Sequence, residues 1–275
     1  MAIIELVGVH YTYEDGTTAL RGVDLKVERK EKLALIGPNG SGKTTLLLHF
    51  NGILKPTHGR VLLEGREIKY SRRELKELRR TVGVVFQDPD TQLFAATVYQ
   101  DVSFGPLNLD LPEDEVRKRV EEALRLTGAL PFQDRSPQYL SYGQKKRVAI
   151  AGILAMEPQV VVCDEPTAWL DRDGCQQVME LLDRAAAAGV TVVISTHDVD
   201  LAYAWADRVV VMKDGTVIAQ GDPVEIFMQD DLLRQAGLHR PWVLDMWLTL
   251  RKKGLVDRSA TVPRTGEELK ACLES

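Results

Sequence analysis

Cysteine is scarce in this sequence, a long apolar run is missing, and basic residues are not in excess. Cys163, Cys175 and Cys272 are odd in number and show no CxxC spacing, which argues for a reducing compartment and against a disulfide framework or a zinc site. No stretch approaches the roughly 18 apolar residues that a helix needs to cross a bilayer, so any service to a membrane is expected from its surface. The opening Met1 to Glu5 lacks the basic segment and apolar run of a secretory leader. Lysine and arginine number 35 against 40 acidic residues, a formal net charge of −5. That balance removes the electrostatic footprint of a general nucleic-acid binder, and no nucleic acid is expected as a partner. The histidines, His10, His49, His58, His197 and His239, are scattered without an i, i+4 pair, so the chain offers no cage for a transported metal ion.

What is present is an ordinary globular composition, 44% hydrophobic and 27% charged over 275 residues, enough to bury one large core or two modest ones. Four short apolar runs, Leu33 to Ile36, Val82 to Phe86, Val160 to Cys163 and Val190 to Ile194, read as buried parallel strands. Helix-like sequence separates them. The fold class is therefore α/β, with a nucleotide-binding core on a mixed or parallel sheet and its ligand site at the carboxyl ends of the strands. Ile3 to Val9, Gly22 to Val27 and Gly59 to Leu63 alternate as an N-terminal antiparallel layer does. Between about residues 89 and 156 the pattern turns helical: Val116, Val120, Ala123 and Leu124 share one face of Glu113 to Leu126, and Val148, Ala151, Gly152 and Ala155 share one face of Gly143 to Met156. This is read as a helical subdomain inserted within a domain of residues 1–220. Residues 221–275 form a helical C-terminal extension.

Gly37, Pro38, Asn39, Gly40, Ser41, Gly42, Lys43 and Thr44 fit GxxxxGK[ST], directly between a strand and the apolar start of a helix at Thr45. Glycines at those positions let main-chain N–H groups curl around phosphate oxygens, and the helix N-terminus adds partial positive charge. Lys43 is expected on the β and γ phosphates and Thr44 on Mg²⁺. ATP and Mg²⁺ are the expected cofactors. Val160 to Cys163 delivers Asp164 and Glu165 to a strand end. Two acids there suit two roles, Asp164 holding the metal and Glu165 polarising the attacking water as general base.

At Leu140-Ser141-Tyr142-Gly143-Gln144 the sequence resembles the signature motif of ABC-transporter ATPases. Other segments follow in that family's order: Phe86-Gln87-Asp88 resembles its Q-loop, Asp164-Glu165-Pro166-Thr167 its Walker B segment, Ala168-Trp169-Leu170-Asp171 its D-loop and Ser195-Thr196-His197-Asp198 its switch histidine. The resemblance covers about residues 1–220. It implies that Ser141, Gly143 and Gln144 meet ATP bound to the opposite subunit of a dimer. It further implies that Asp171 acts in the D-loop, that Gln87 senses the γ-phosphate and joins the metal ligands, and that His197 orients the γ-phosphate and water. Tyr13, before Glu14-Asp15-Gly16, resembles the aromatic residue that stacks on adenine, with Thr45 completing the nucleotide site. Two residues depart from the family's common form. Tyr142 stands where Gly is usual, so its side chain is expected to point away from nucleotide, and Trp169 stands where a small residue is usual, near the dimer interface.

The run from Gln87 to Phe94, then Asp101 to Pro106 and Asn108, together with Gly143 to Gly152, resembles the energy-coupling-factor type of importer ATPase. Similarity is greatest to the cobalt or nickel uptake ATPase of the cobalamin-biosynthesis type; a vitamin importer is the alternative. This implies a homodimer, or a heterodimer with a similar ATPase, working with a transmembrane coupling subunit and a substrate-binding membrane subunit at the cytoplasmic face of the cell membrane. By the same resemblance a short helix, about Gln92 to Tyr99, lies beside the groove that receives the membrane partner. Leu93, Phe94 and Val98 either pack the insertion's own core or stand exposed for docking. In the extension, Val243, Met246, Trp247 and Leu250 form an apolar stripe with Trp242 beside it, for docking on the chain's own domain or for holding a homodimer. The basic run Arg72, Arg73, Lys76, Arg79 and Arg80 is a solvated helix face.

Two rivals differ in class. A soluble ABC ATPase acting on DNA or ribosomes is opposed by the acidic balance and the lack of a long coiled-coil insertion. A non-hydrolysing nucleotide switch is opposed by intact Glu165 and His197.

Overall fold

Val, Leu and Ile alternate on the two sides of the central strands, and both sides are buried, because each side meets a different layer. The computed structural model describes residues 2–256 and 261–274. Residues 1, 257–260 and 275, at the limits of the two expected domains and within the extension, lie outside the described residues. Among those described, the strands are β1 (Ala2–Thr12), β2 (Thr18–Glu28), β3 (Lys32–Ile36), β4 (His58–Leu63), β5 (Arg66–Glu67), β6 (Val82–Val85), β7 (Val160–Asp164), β8 (Thr191–Thr196), β9 (Arg208–Lys213) and β10 (Thr216–Gly221). The helices are α1 (Lys43–Phe50), α2 (Arg72–Thr81), α3 (Val98–Asn108), α4 (Glu113–Leu126), α5 (Tyr142–Leu154), α6 (Arg172–Ala187), α7 (Val199–Trp205), α8 (Pro223–Phe227), α9 (Asp230–Ala236), α10 (Trp242–Lys252) and α11 (Gly266–Glu274).

The larger sheet has the order β10-β9-β3-β8-β7-β6, parallel except for the antiparallel β9–β10 hairpin at one edge. A smaller antiparallel sheet, β2-β1-β4-β5, covers one of its faces. Leu33, Leu35, Val160, Val162 and Val193 turn toward that sheet and α1. Ala34, Ile36, Val161, Cys163, Val192 and Ile194 turn to the helices on the other face. Each such buried aliphatic side chain is worth roughly 1.5–3 kcal/mol over its exposed state. The expected strands all form; β5, β9 and β10 are additional. β8, carrying the switch segment, and not β7 lies directly beside β3, so the Asp164 strand is the next but one from the phosphate loop.

The inserted helices have their own core, with Val98 and Val102 of α3, Val116, Val120 and Leu124 of α4, and Val148 and Ala151 of α5. The helix expected over Gln92 to Tyr99 is not there. A short 3-10 turn at Pro89–Thr91 leads into irregular chain, and α3 begins at Val98 behind a capping box of Thr97 and Gln100. The Asp101 carboxylate accepts the main-chain N–H groups of Phe94 and Ala95, which holds this stretch around a side chain instead of in helical register. Leu93 and Val98 pack inward, whereas Phe94 is 67% exposed.

The C-terminal stripe forms through Val243, Trp247 and Leu250, with Leu244 taking the inward place expected of Met246. Val243, Leu244 and Trp247 of α10 are buried in the cluster that covers the main sheet, together with Leu269 of α11; Met246 and Trp242 face outward. The extension therefore docks on the chain's own nucleotide fold. The basic run of α2 is solvent-exposed as expected.

Candidate functional site

The phosphate loop leaves β3 through Gly37 and enters α1 through Gly42, both in conformations that a side chain resists. Gly37 has φ of +150° and Gly42 of +99°, and a Cβ on them would stand 2.2 Å from the Met212 carbonyl oxygen and 2.7 Å from that of Ala19. Gly42 is the N-cap of α1, and no side chain caps that helix. Its first N–H groups are thus left to an outside acceptor. Ser41 Oγ is buried without a hydrogen-bond partner, a donor that suits phosphate oxygens. Lys43, only 7% exposed, folds its ammonium onto the carbonyl oxygens of Gly37 at 2.8 Å and Pro38 at 3.2 Å. Burial lowers its pKa, opposed by the carboxylates of Glu165 and Asp164.

Asp164 reaches the loop across the intervening strand. The Thr44 hydroxyl donates to Asp164 Oδ2 at 2.7 Å, and the Ser195 hydroxyl donates to Asp164 Oδ1 at 2.5 Å. Ser195 Oγ also accepts the Glu165 main-chain N–H at 3.0 Å. Ser195 therefore pins both acids, a role the sequence reading missed although the residue sits two before His197. Glu165 has φ of +45°, strained for a residue with a Cβ. Its carboxylate lies 3.0 Å from His197 Nδ1, while the His197 ring remains largely open to solvent. Tyr13 shares a hydrogen bond with Thr45 Oγ1 at 2.8 Å and meets Tyr11 edge-on.

Tyr13, Asn39, Gly40, Gly42, Lys43, Thr44, Thr45, Gln87, Asp164, Glu165 and His197 thus border one cavity of about 410 Å³, together with Thr17 before β2 and Thr18 and Ala19 at its start. Gly37, Pro38 and Ser41 of the same loop do not line it. The donors converging beside Thr44 are all oxygens, which fits a hard divalent cation.

Ser141, Gly143, Gln144 and Asp171 do not border this cavity. Ser141 caps α5 in a capping box with Gln144, and Asp171 caps α6 through the Gly174 N–H at 2.8 Å. A Cβ on Gly143 would meet only Leu170, at an ordinary 3.7 Å. The chain's own packing does not demand glycine there. Tyr142, one residue earlier, turns its side chain toward the Q-loop and Trp169.

A second and larger depression, about 840 Å³, lies beside the Q-loop. Leu93, Phe94, Phe104 and Met156 contribute its apolar wall, and Arg72 and Lys76 of α2 stand on its rim. Phe94 and Phe104 meet edge-on at 4.9 Å, and both are more than half exposed.

A phosphate loop set against Asp164, Glu165 and His197, with a capped signature helix on an inserted subdomain, defines an ATPase of the ATP-binding-cassette class. The ABC transporter family model matches residues 20–168. The chain is 53% identical to the energy-coupling factor transporter ATP-binding protein EcfA of Methanocaldococcus jannaschii, over 92% of this chain and 91% of that one. It is 50% identical to the protein of the same description from Methanothermobacter thermautotrophicus, over 97% and 86%. Among solved structures, cbiO1 from Clostridium perfringens, part of the ABC transporter complex cbiONQ, superposes with a TM-score of 0.76 at 48% identity, covering 91% of this chain and 99% of that one. A dimeric ATP-binding cassette in a post-hydrolysis state bound to ADP and Pi superposes with a TM-score of 0.73 at 32% identity, over 80% and 98%. This chain belongs to the ABC transporter ATPases, in the branch of the energy-coupling-factor ATP-binding proteins.

Proposed function

We propose that the protein is the ATP-hydrolysing subunit of an energy-coupling-factor importer, bound peripherally at the cytoplasmic face of the membrane and powering uptake of a cobalt or nickel ion. The convergence of Lys43, Thr44, Gln87, Asp164, Glu165 and His197 on one cavity carries this reading. Lys43 and the loop N–H groups bind the β and γ phosphates, Tyr13 stacks on adenine, and Gln87 reports the γ-phosphate. Thr44, Asp164 and Gln87 hold Mg²⁺, which when bound supplies charge neutralisation of the phosphates. Glu165 accepts a proton from the attacking water, held in place by His197.

Two copies work together, each offering Ser141, Gly143 and Gln144 to the ATP of the other and placing Asp171 at the interface. The room left at Gly143 supports this, since a glycine unneeded by its own chain suits close approach of a partner's ligand. The likeness to a dimeric cassette supports it as well. The apolar depression beside the Q-loop, with exposed Phe94 and Phe104, receives a transmembrane coupling subunit, and a second membrane subunit binds the cargo. The likeness to cbiO1 of the cbiONQ complex supports a metal cargo and a homodimer.

The test is gentle purification from the native membrane, followed by identification of the co-purifying subunits and of the retained ligand. A small metal-uptake membrane protein with this ATPase alone supports the proposal. A vitamin-binding membrane subunit and a second ATPase replace the cargo and the homodimer while leaving the catalytic assignments in place.

A further inference from the structure

The two residues that depart from the family's common pattern touch each other. The ring of Tyr142, first residue of α5, meets the Trp169 indole with centroids 5.4 Å apart and planes at 83°, an attractive edge-to-face arrangement. Its hydroxyl donates to the main-chain carbonyl of Gln87 at 3.0 Å. The same carbonyl accepts from Lys146 Nζ at 2.6 Å, and this fully buried ammonium also reaches Phe86 O at 3.2 Å. Burial, with Asp88 and Asp90 nearby, pushes the Tyr142 pKa up to about 12, so its hydroxyl remains a donor throughout the physiological range.

Trp169 belongs to none of the three apolar clusters, is 66% exposed, and sits at φ of +61°. Core packing does not account for an indole held at such a backbone position. The ring contact it makes is with Tyr142. Tyr142 thereby joins three loops at one point: its own main chain stands between Ser141 and Gly143, its hydroxyl holds the Q-loop, and its ring holds the D-loop. Glycine at this position supplies neither bond.

We propose that Tyr142 is a positioning residue that makes the Q-loop of one nucleotide site follow the signature motif as it closes on the ATP of the other, with Trp169 bracing its ring. The inference rests on the assignment of Gln87 to the chain's own ATP and of Ser141 and Gly143 to the partner's. Movement of the helix start carries the Gln87 carbonyl with it through the Tyr142 hydroxyl, while Lys146, one turn further along α5, keeps the two segments in register.

The experiment compares the full chain with Tyr142→Phe, Trp169→Ala and Trp169→Phe. Each is made both in the native background, for steady-state turnover, and in a Glu165→Gln background, for amide hydrogen exchange with and without Mg-ATP. Tyr142→Phe is expected to close on ATP with undiminished protection at residues 141–144. Its ATP-dependent protection at residues 86–90 falls about 3- to 10-fold, the effect of losing one hydrogen bond. In the native background kcat falls by a similar factor with KM for ATP unchanged. Trp169→Ala reproduces this, and Trp169→Phe, which keeps a ring, restores it. The inference is overturned if Tyr142→Phe stays within twofold of its parent in both readouts, or if protection is lost equally in both segments alongside a lowered Tm, the mark of a purely structural role. A Glu165→Gln parent that gains no protection at 141–144 with ATP overturns the nucleotide assignment itself, and this inference with it.

Discussion

His197 Nδ1 lies 3.0 Å from Glu165 Oε2, linking the end of β8 to the end of β7 across the mouth of the nucleotide cavity. The exposed histidine and the strained glutamate hold one another directly. Replacing His197 with Ala is expected to leave ATP binding intact and to lower turnover about a hundredfold, within the range lost when a proton-transfer group is misplaced. Phosphate release under saturating ATP, set beside an equilibrium ATP-binding measurement, checks it.

Glu165→Gln keeps the shape of the side chain and removes its basicity. Turnover is expected to fall at least about a hundredfold while ATP drives a stable closed dimer, seen by size-exclusion chromatography. Near-normal turnover would remove Glu165 from the role of base.

Lys43→Ala deletes the ammonium that now rests on Gly37 O and Pro38 O. Wild-type protein gains about 2.7 kcal/mol of apparent stability from Mg-ATP at a hundred times its Kd, and the variant is expected to show almost none at the same concentration. Thermal unfolding with and without nucleotide reads the difference; equal stabilisation of both proteins refutes the assignment.

Phe94→Asp and Phe104→Asp alter a pair that is largely outside the core. Each is expected to cost about 1 kcal/mol or less and to leave ATPase activity of the isolated subunit unchanged, while the membrane subunits no longer co-purify. Retention of those subunits by the double variant argues that docking occurs elsewhere.

Trp247 is buried with its indole N–H unpaired. Trp247→Ala is expected to destabilise the protein by about 3–5 kcal/mol, whereas Trp247→Phe, which removes the unpaired donor, costs less. Denaturant midpoints of the two variants measure this, and equal stabilities contradict a shared core between α10 and the main sheet.

What was legible in the sequence was whatever its chemistry required locally. Gly37 to Thr44 could be read because the loop's backbone leaves few residue types possible, and Asp164 and Glu165 because an apolar strand ends on them. The α4 limits, Glu113 and Leu126, coincide with the expected ones, since its apolar spacing runs uninterrupted between acidic and glycine-bearing ends. The stretch after the Q-loop was misjudged for a side-chain reason: the Asp101 carboxylate captures two N–H groups that periodicity assigns to a helix. In α10 the inward face takes Leu244 rather than Met246; both are apolar and both lie within one turn of Val243 and Trp247, so hydrophobic spacing alone does not choose between them. The β9–β10 hairpin was missed, although Asp214-Gly215 between two apolar runs is a turn signal that could have found it. The meeting of Tyr142 with Trp169 was not legible, since it depends on how two helix starts approach in space.

The nucleotide loop is braced by its own side chains. Lys43 is folded onto the carbonyl oxygens of Gly37 and Pro38, and Thr44 is bonded to Asp164, so the loop is tied at its start and at the head of α1. Phosphate binding there exchanges partners within an already shaped cradle, so little chain entropy remains to be lost. A cassette built in this way can empty and refill on every cycle without refolding its own binding loop.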